Sequence, residues 1–171
     1  ELKVSIVLTN DWELYGEGSG DFYHLQKDRL KNILSCVERH GAKMSIFAEV
    51  GQQWAHIKEG EKSKWAYNIA REWEACLQDA IKRGHDVQMH LHPTWQDSTH
   101  TGTEWKLNLN IWALADLSAD KIESELRKGR LYFNQLFQKI DINKFDFKNV
   151  LILGMGAGSI ISLLRNKYNI N

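Results

Sequence analysis

Two spacings of apolar residues alternate along the chain. Short runs rich in β-branched and apolar residues have the length of buried strands, and between them apolar residues recur every three or four positions, as in amphipathic helices. The predicted strands cover residues 3–10, 43–50, 86–92 and 147–154, and the predicted helices cover residues 25–40, 63–83, 118–139 and 159–168. This alternation predicts right-handed β-α-β units, a parallel sheet and therefore an α/β fold.

Three connecting segments lack either spacing. Tyr15–Asp21 is a glycine-rich loop, Gln52–Gly60 is predicted to be a connecting turn after Gly51, and Thr94–Asn108 is predicted to be an irregular loop. In parallel α/β folds the chemistry lies at the C-terminal ends of the strands, where the following loops begin. Candidate functional residues are therefore sought at those ends.

Ionisable side chains follow two of the predicted strands at alternate positions. Asp11 and Glu13 follow the first strand, and His90 and His92 end the third. Residues two apart point to the same side of an extended chain, so each pair can face one site. An acidic pair at a strand end is more often a solvated loop or a helix cap. Two carboxylates and two imidazoles on one sheet edge, however, favour a divalent metal site with an open coordination position.

Aromatic residues are dense near the same edge. The chain has seven tryptophans, and aromatic rings at such an edge can stack on sugars or simply pack in the core. The candidates for substrate binding are Trp12, Tyr15, Trp95 and Trp105.

Charge and composition exclude some classes of function. The 22 basic and 22 acidic residues balance, which argues against a nucleic-acid binder. The longest apolar run, residues 151–164, is too short and glycine-rich to cross a membrane. Two cysteines give no disulfide framework, and no signal peptide is visible, so we expect a cytoplasmic protein.

Three segments resemble motifs of the NodB-homology polysaccharide deacetylases (carbohydrate esterase family 4 and relatives). Thr9–Glu13 is similar to their T-F-D-D motif with one residue inserted before the second acid. Lys43–Gly51 is similar to K-A-T-F-F-V-x-G, and Gly84–His90 to G-H-E-I-x-x-H. The run Asp86–Trp95 resembles a subgroup associated with surface-polysaccharide biosynthesis. The resemblance implies one domain over residues 1–171, forming the N-terminal part of a parallel-stranded (β/α) barrel of the deacetylase type.

The resemblance also implies an activity and a set of roles. The expected reaction is metal-dependent removal of an acetyl group from N-acetylated sugars or surface-polysaccharide precursors, with zinc as the expected metal. By resemblance Asp11 is the catalytic base, and Glu13 and His90 bind the metal. The family's second metal histidine corresponds to Thr94, so His92 has to take that role here.

Two departures from the family pattern keep other functions open. Residues 153–159 stand where the family carries an arginine motif, and the chain given ends before the family's late histidine. An open partial barrel exposes a sheet edge, which favours a homo-oligomer or a further C-terminal segment. The alternatives are a catalytically inactive carbohydrate-binding module and a protein that binds S-adenosylmethionine or a nucleotide through the glycine-rich loop Gly154–Ser159.

Overall fold

The computed structural model describes residues 7–137. A π-helical turn at Tyr23–Asp28 precedes the first α-helix, and short 3₁₀ turns occur at Pro93–Trp95 and Leu114–Asp116. The strands and helices are β1 (Thr9–Trp12), α1 (Arg29–Arg39), β2 (Ser45–Glu49), α2 (Val50–Gly60), α3 (Lys64–Lys82), β3 (Asp86–His90), β4 (Thr99–His100), β5 (Trp105–Lys106) and α4 (Ala119–Phe137).

The central sheet has the order β1-β2-β3, and both pairings are parallel. This confirms the predicted α/β class and the parallel sheet. Within residues 7–137 the sheet has three strands flanked by helices, and a full barrel of the deacetylase type is not seen. The predicted strand at 147–154, the helix at 159–168 and the Gly154–Ser159 loop lie outside the described residues.

The core lies on one face of this sheet. Trp12, Ile46 and Val87 are buried in one cluster together with Trp73 of α3 and Phe133 of α4. Side chains alternate between the two faces of a strand. On the face opposite the core, the residues at the C-terminal edge of the sheet are polar or ionisable. Glu49 is in register with His90 there. The fold therefore turns its apolar residues toward the helices and leaves the ionisable residues together at the opposite face.

The segment predicted to be a connecting turn after β2 is helix α2, so that prediction is wrong. The Glu49 side chain caps the helix by accepting a hydrogen bond of 2.8 Å from the Gly51 N–H. A Cβ on Gly51 would lie 2.9 Å from Cβ of Trp95 and 3.1 Å from the His92 carbonyl oxygen. Gly51 is therefore required for the close approach of α2 to the chain after β3 and does not stop the secondary structure.

Two further boundaries differ from the predictions. The predicted helix at 25–40 is divided into the π-helical turn and α1. The predicted irregular loop at 94–108 contains the antiparallel pair β4–β5. Among the helices of residues 7–137, none is long and apolar enough to cross a membrane.

Helix α2 carries a buried histidine that makes stability depend on pH. His56 is 1% exposed, and burial lowers its pKa from 6.5 to about 4. Between these values the unfolded chain binds a proton that the folded chain does not bind. The free energy of unfolding should therefore fall as pH drops from about 6.5 to about 4, by up to about 3 kcal/mol from this residue.

Denaturant unfolding across this pH range measures the effect, with the wild type compared with His56→Leu. The variant should lose most of the slope, whereas His24→Ala, which removes an exposed histidine, should retain it. Equal slopes in the wild type and His56→Leu would contradict the prediction.

Candidate metal centre

Four ionisable side chains converge at the C-terminal edge of the sheet. Glu13 follows β1, Glu49 ends β2, His90 ends β3 and His92 follows it. One ligand atom from each of these residues lies within 4.8 Å of those of the other three. Because the strands are parallel and adjacent, residues distant in sequence meet at this edge.

Three of the four residues are the predicted metal ligands. The Nε2 atoms of His90 and His92 lie 2.8 Å apart. Oε2 of Glu13 is 3.2 Å from Nε2 of His92 and 3.7 Å from Nε2 of His90. Ligand atoms around a tetrahedral zinc, with bonds of about 2.0–2.1 Å, lie roughly 3.3 Å apart. The three distances therefore differ from this spacing by about half an ångström or less.

Glu49 is the fourth member, and the sequence analysis did not identify it. Its side chain is 0% exposed. Besides capping α2 through Oε1, it accepts a hydrogen bond of 2.9 Å at Oε2 from the backbone N–H of His92. Glu49 thus fixes the chain that carries His92. The available signal was its position at the end of the second strand, two residues before Gly51, where the rule used for the other strand ends applies equally.

The electrostatics of the cluster favour a cation. Burial raises the pKa of Glu49 to about 8, and the negative charge of Glu13 acts in the same direction, although His92 opposes it. In the described part of the chain, no lysine or arginine forms an ion pair with either glutamate. A buried carboxylate beside a second one is unfavourable without a compensating positive charge. Two neutral imidazoles and a carboxylate are also a ligand set of catalytic zinc sites, so the residues fit a divalent metal.

The two histidines differ in their proton affinity. A hydrogen bond that His92 donates to Glu13 raises the pKa of His92, whereas burial and then the neighbouring His92 lower the pKa of His90. A metal needs both imidazoles neutral at the coordinating nitrogen. Protons therefore compete with a metal more strongly at His92 than at His90.

The predicted base, Asp11, lies beside the cluster but is not one of the four residues. Its side chain is exposed. It lines a cavity of about 680 Å³ together with Glu13, Tyr15, Arg29 and Asn32. Its negative charge contributes to raising the pKa of both histidines, as the smallest of the several effects. Asp11 therefore borders a cavity whose lining includes one residue of the cluster, Glu13.

The predicted aromatic residues have different environments. The predicted role of Trp12 in substrate binding is corrected. Its side chain is 2% exposed and its indole N–H donates to the Gln26 carbonyl oxygen, so it offers no ring face to a sugar. Burial follows from its position on the core face of β1. Tyr15 is 52% exposed and lines the cavity of Asp11. Trp95 and Trp105 are largely buried and pack against each other with ring centroids 5.6 Å apart.

Comparisons with family models, curated proteins and solved structures gave no match to this chain. The resemblance to polysaccharide deacetylases therefore rests on the sequence motifs and stays a prediction. The cluster and the cavity beside it are the basis for a function.

Proposed function

We propose that the chain is a metal-dependent, deacetylase-like hydrolase that acts on N-acetylated sugars. The observation that carries this proposal is the convergence of Glu13, His90 and His92 next to a cavity that also holds Asp11. A ligand set with two imidazoles and one carboxylate leaves a position open in a four-coordinate zinc site. Metal-assisted hydrolysis is the chemistry for which such an open position is used.

The roles follow from the surroundings of each side chain. Glu13, His90 and His92 would hold the ion, and Glu49 would orient His92 through its backbone N–H. A bound divalent metal supplies polarisation of the acetamide carbonyl and a lowered pKa for a water molecule. Asp11, with an exposed carboxylate in the adjoining cavity, would accept the proton of the attacking water at a carboxylate oxygen. Water adds to the carbonyl carbon, the proton held by Asp11 passes to the nitrogen, the C–N bond breaks, and acetate and an amine are released.

The cavity beside Asp11 suits a sugar. Its volume of about 680 Å³ lies within the usual range of small-molecule sites. Asn10, Asn32 and Arg29 offer polar groups around it, and the exposed ring of Tyr15 offers an apolar face. Hydroxyl groups and an apolar ring face are the two surfaces that a sugar presents, so the lining matches this substrate class.

One observation favours a second candidate, a sugar-binding protein without catalysis. Across residues 7–137 no hydrogen bond to the Asp11 carboxylate is found, so nothing there orients it as a base. Such a protein would keep the metal cluster and the cavity but would not turn over substrate.

Acetate release from the N-acetylglucosamine tetramer separates these candidates. Metal-free protein is assayed before and after addition of zinc or cobalt, and zinc binding is measured by calorimetry on the same sample. We expect slow acetate release that requires the metal and stops with a chelator. Saturation with zinc without any acetate release would favour the non-catalytic candidate, and acetate release unaffected by chelation would contradict the proposed mechanism.

A further inference from the structure

A second cavity, of about 370 Å³, lies on the other side of Leu14, the residue that follows Glu13. Leu14 borders both cavities. The walls come from α2, the start of α3, the glycine-rich loop and the β4–β5 pair. The glycine-rich loop and the aromatic residues Trp65 and Trp105 therefore line a cavity that lies close to the metal cluster.

Aromatic rings form one wall of this second cavity. Trp65 stacks on His100 with ring centroids 4.6 Å apart, and Trp105 lies 5.0 Å from His100 and 6.4 Å from Trp65. Trp65 remains 42% exposed although it belongs to this packed group. A rigidly held, partly exposed indole is a suitable face for stacking with the C–H groups of a sugar ring.

A buried histidine, His56, also lines the same cavity. Nδ1 of His56 lies 2.9 Å from the Gln52 carbonyl oxygen. A carbonyl oxygen only accepts, so Nδ1 carries the hydrogen and Nε2 is a bare acceptor in the neutral ring. Nε2 is buried and has no hydrogen-bond partner among residues 7–137. Buried polar atoms are nearly always hydrogen-bonded, so a donor outside these residues, such as a ligand hydroxyl or a water molecule, is needed to satisfy Nε2.

The remaining polar lining also consists mainly of acceptors. The carboxylates of Glu17, Asp21 and Glu104 line the cavity and are exposed. Glu17 accepts a hydrogen bond from Ser19, and Glu104 pairs with Lys106, so both are partly compensated. A ligand for this cavity therefore needs an apolar face for the indoles and several hydroxyl donors for the acceptors.

We propose that the second cavity binds one further sugar residue of the glycan, with a hydroxyl group donated to Nε2 of His56 and the ring stacked on Trp65. His56 lies seven residues after Glu49 on α2, a rise of about 10 Å along the helix. Leu14 borders both cavities and directly follows Glu13 of the cluster, so one chain of linked sugars can reach the metal cluster and the second cavity. The identity of the glycan rests on the proposed function, whereas binding in this cavity requires no metal.

The test measures binding of the N-acetylglucosamine tetramer to metal-free protein by calorimetry and tryptophan fluorescence. We expect Trp65→Ala and His56→Leu each to weaken binding on the order of tenfold. Tyr67→Ala is the matched control, because Tyr67 is an exposed aromatic residue on the same helix and does not line the cavity. Circular dichroism of each variant verifies folding, and the exposed Trp65 keeps the test valid if His56→Leu fails to fold.

Unchanged affinity in Trp65→Ala, or no binding by metal-free wild type, would overturn the second sugar site. Zinc-dependent acetate release without any effect of Trp65→Ala would leave the proposed function intact and refute only this site. Trp65-dependent binding without acetate release would retain this site and refute the proposed catalysis.

Discussion

Replacing His90 and His92 together with alanine will remove specific zinc binding. Their Nε2 atoms lie 2.8 Å apart and both face Oε2 of Glu13, so the double variant leaves only carboxylates at the site. Loss of groups that merely support metal ligands weakens affinity by about 10–100-fold, and loss of two ligands should exceed that range. Calorimetric titration of metal-free protein with zinc measures the change.

The control for this result is His24→Ala combined with His40→Ala. Both residues are exposed and lie away from the cluster in sequence and fold, on the π-helical turn and just after α1. This control also removes two histidines but should bind zinc as the wild type does. Thermal unfolding adds a second measurement, since a ligand that binds only the folded state raises the melting temperature. Zinc-induced stabilisation that survives in the His90 and His92 double variant would refute the metal centre.

The second large effect concerns Asp11. Asp11→Asn should lower zinc-dependent acetate release by about 10²–10⁴-fold, because the amide cannot accept the proton of the attacking water. The same variant should bind zinc almost as tightly as the wild type, since Asp11 is outside the four-residue cluster. The rate of acetate release and the zinc affinity are therefore measured on the same preparation.

Asp120→Asn is the matched control for this variant. Asp120 is an exposed aspartate in the first turn of α4 and should leave the rate unchanged. A normal rate in Asp11→Asn would remove Asp11 from the mechanism. Parallel loss of rate and zinc affinity would assign Asp11 to metal binding instead of proton transfer.

The local pattern of residues was sufficient for the fold class and for three members of the cluster. Strand and helix spacing predicted a parallel sheet, and its C-terminal edge is a property of every such sheet. Alternation along an extended chain placed His90 and His92 on one side, and their Nε2 atoms do lie together. Glu13 was reached by the same rule. These inferences succeeded because each depends on backbone geometry over a few residues.

Other features depend on contacts between segments distant in sequence, and only the tertiary structure decided them. A glycine after a strand usually indicates the end of regular secondary structure. Gly51 nevertheless lies inside α2, because the chain around His92 and Trp95 packs directly against it. In the sequence Glu49 is only one more polar residue at a strand end. In the structure β2 lies between β1 and β3, and Glu49 is buried beside Glu13 and His90. The sequence places Trp12 at the open edge of the sheet. In the structure Trp73 of α3 covers it, with the two ring centroids 5.5 Å apart.

The second cavity shows the same division most clearly. His56, Trp65 and Trp105 come from two helices and a strand, and no spacing in the chain relates them. The sequence determined which residues can be buried, which can stack and which can accept a hydrogen bond. Folding determined that an exposed indole and an imidazole nitrogen without a hydrogen-bond partner among residues 7–137 share one cavity. Burial and hydrogen bonding are properties of the whole packed chain and not of any local segment.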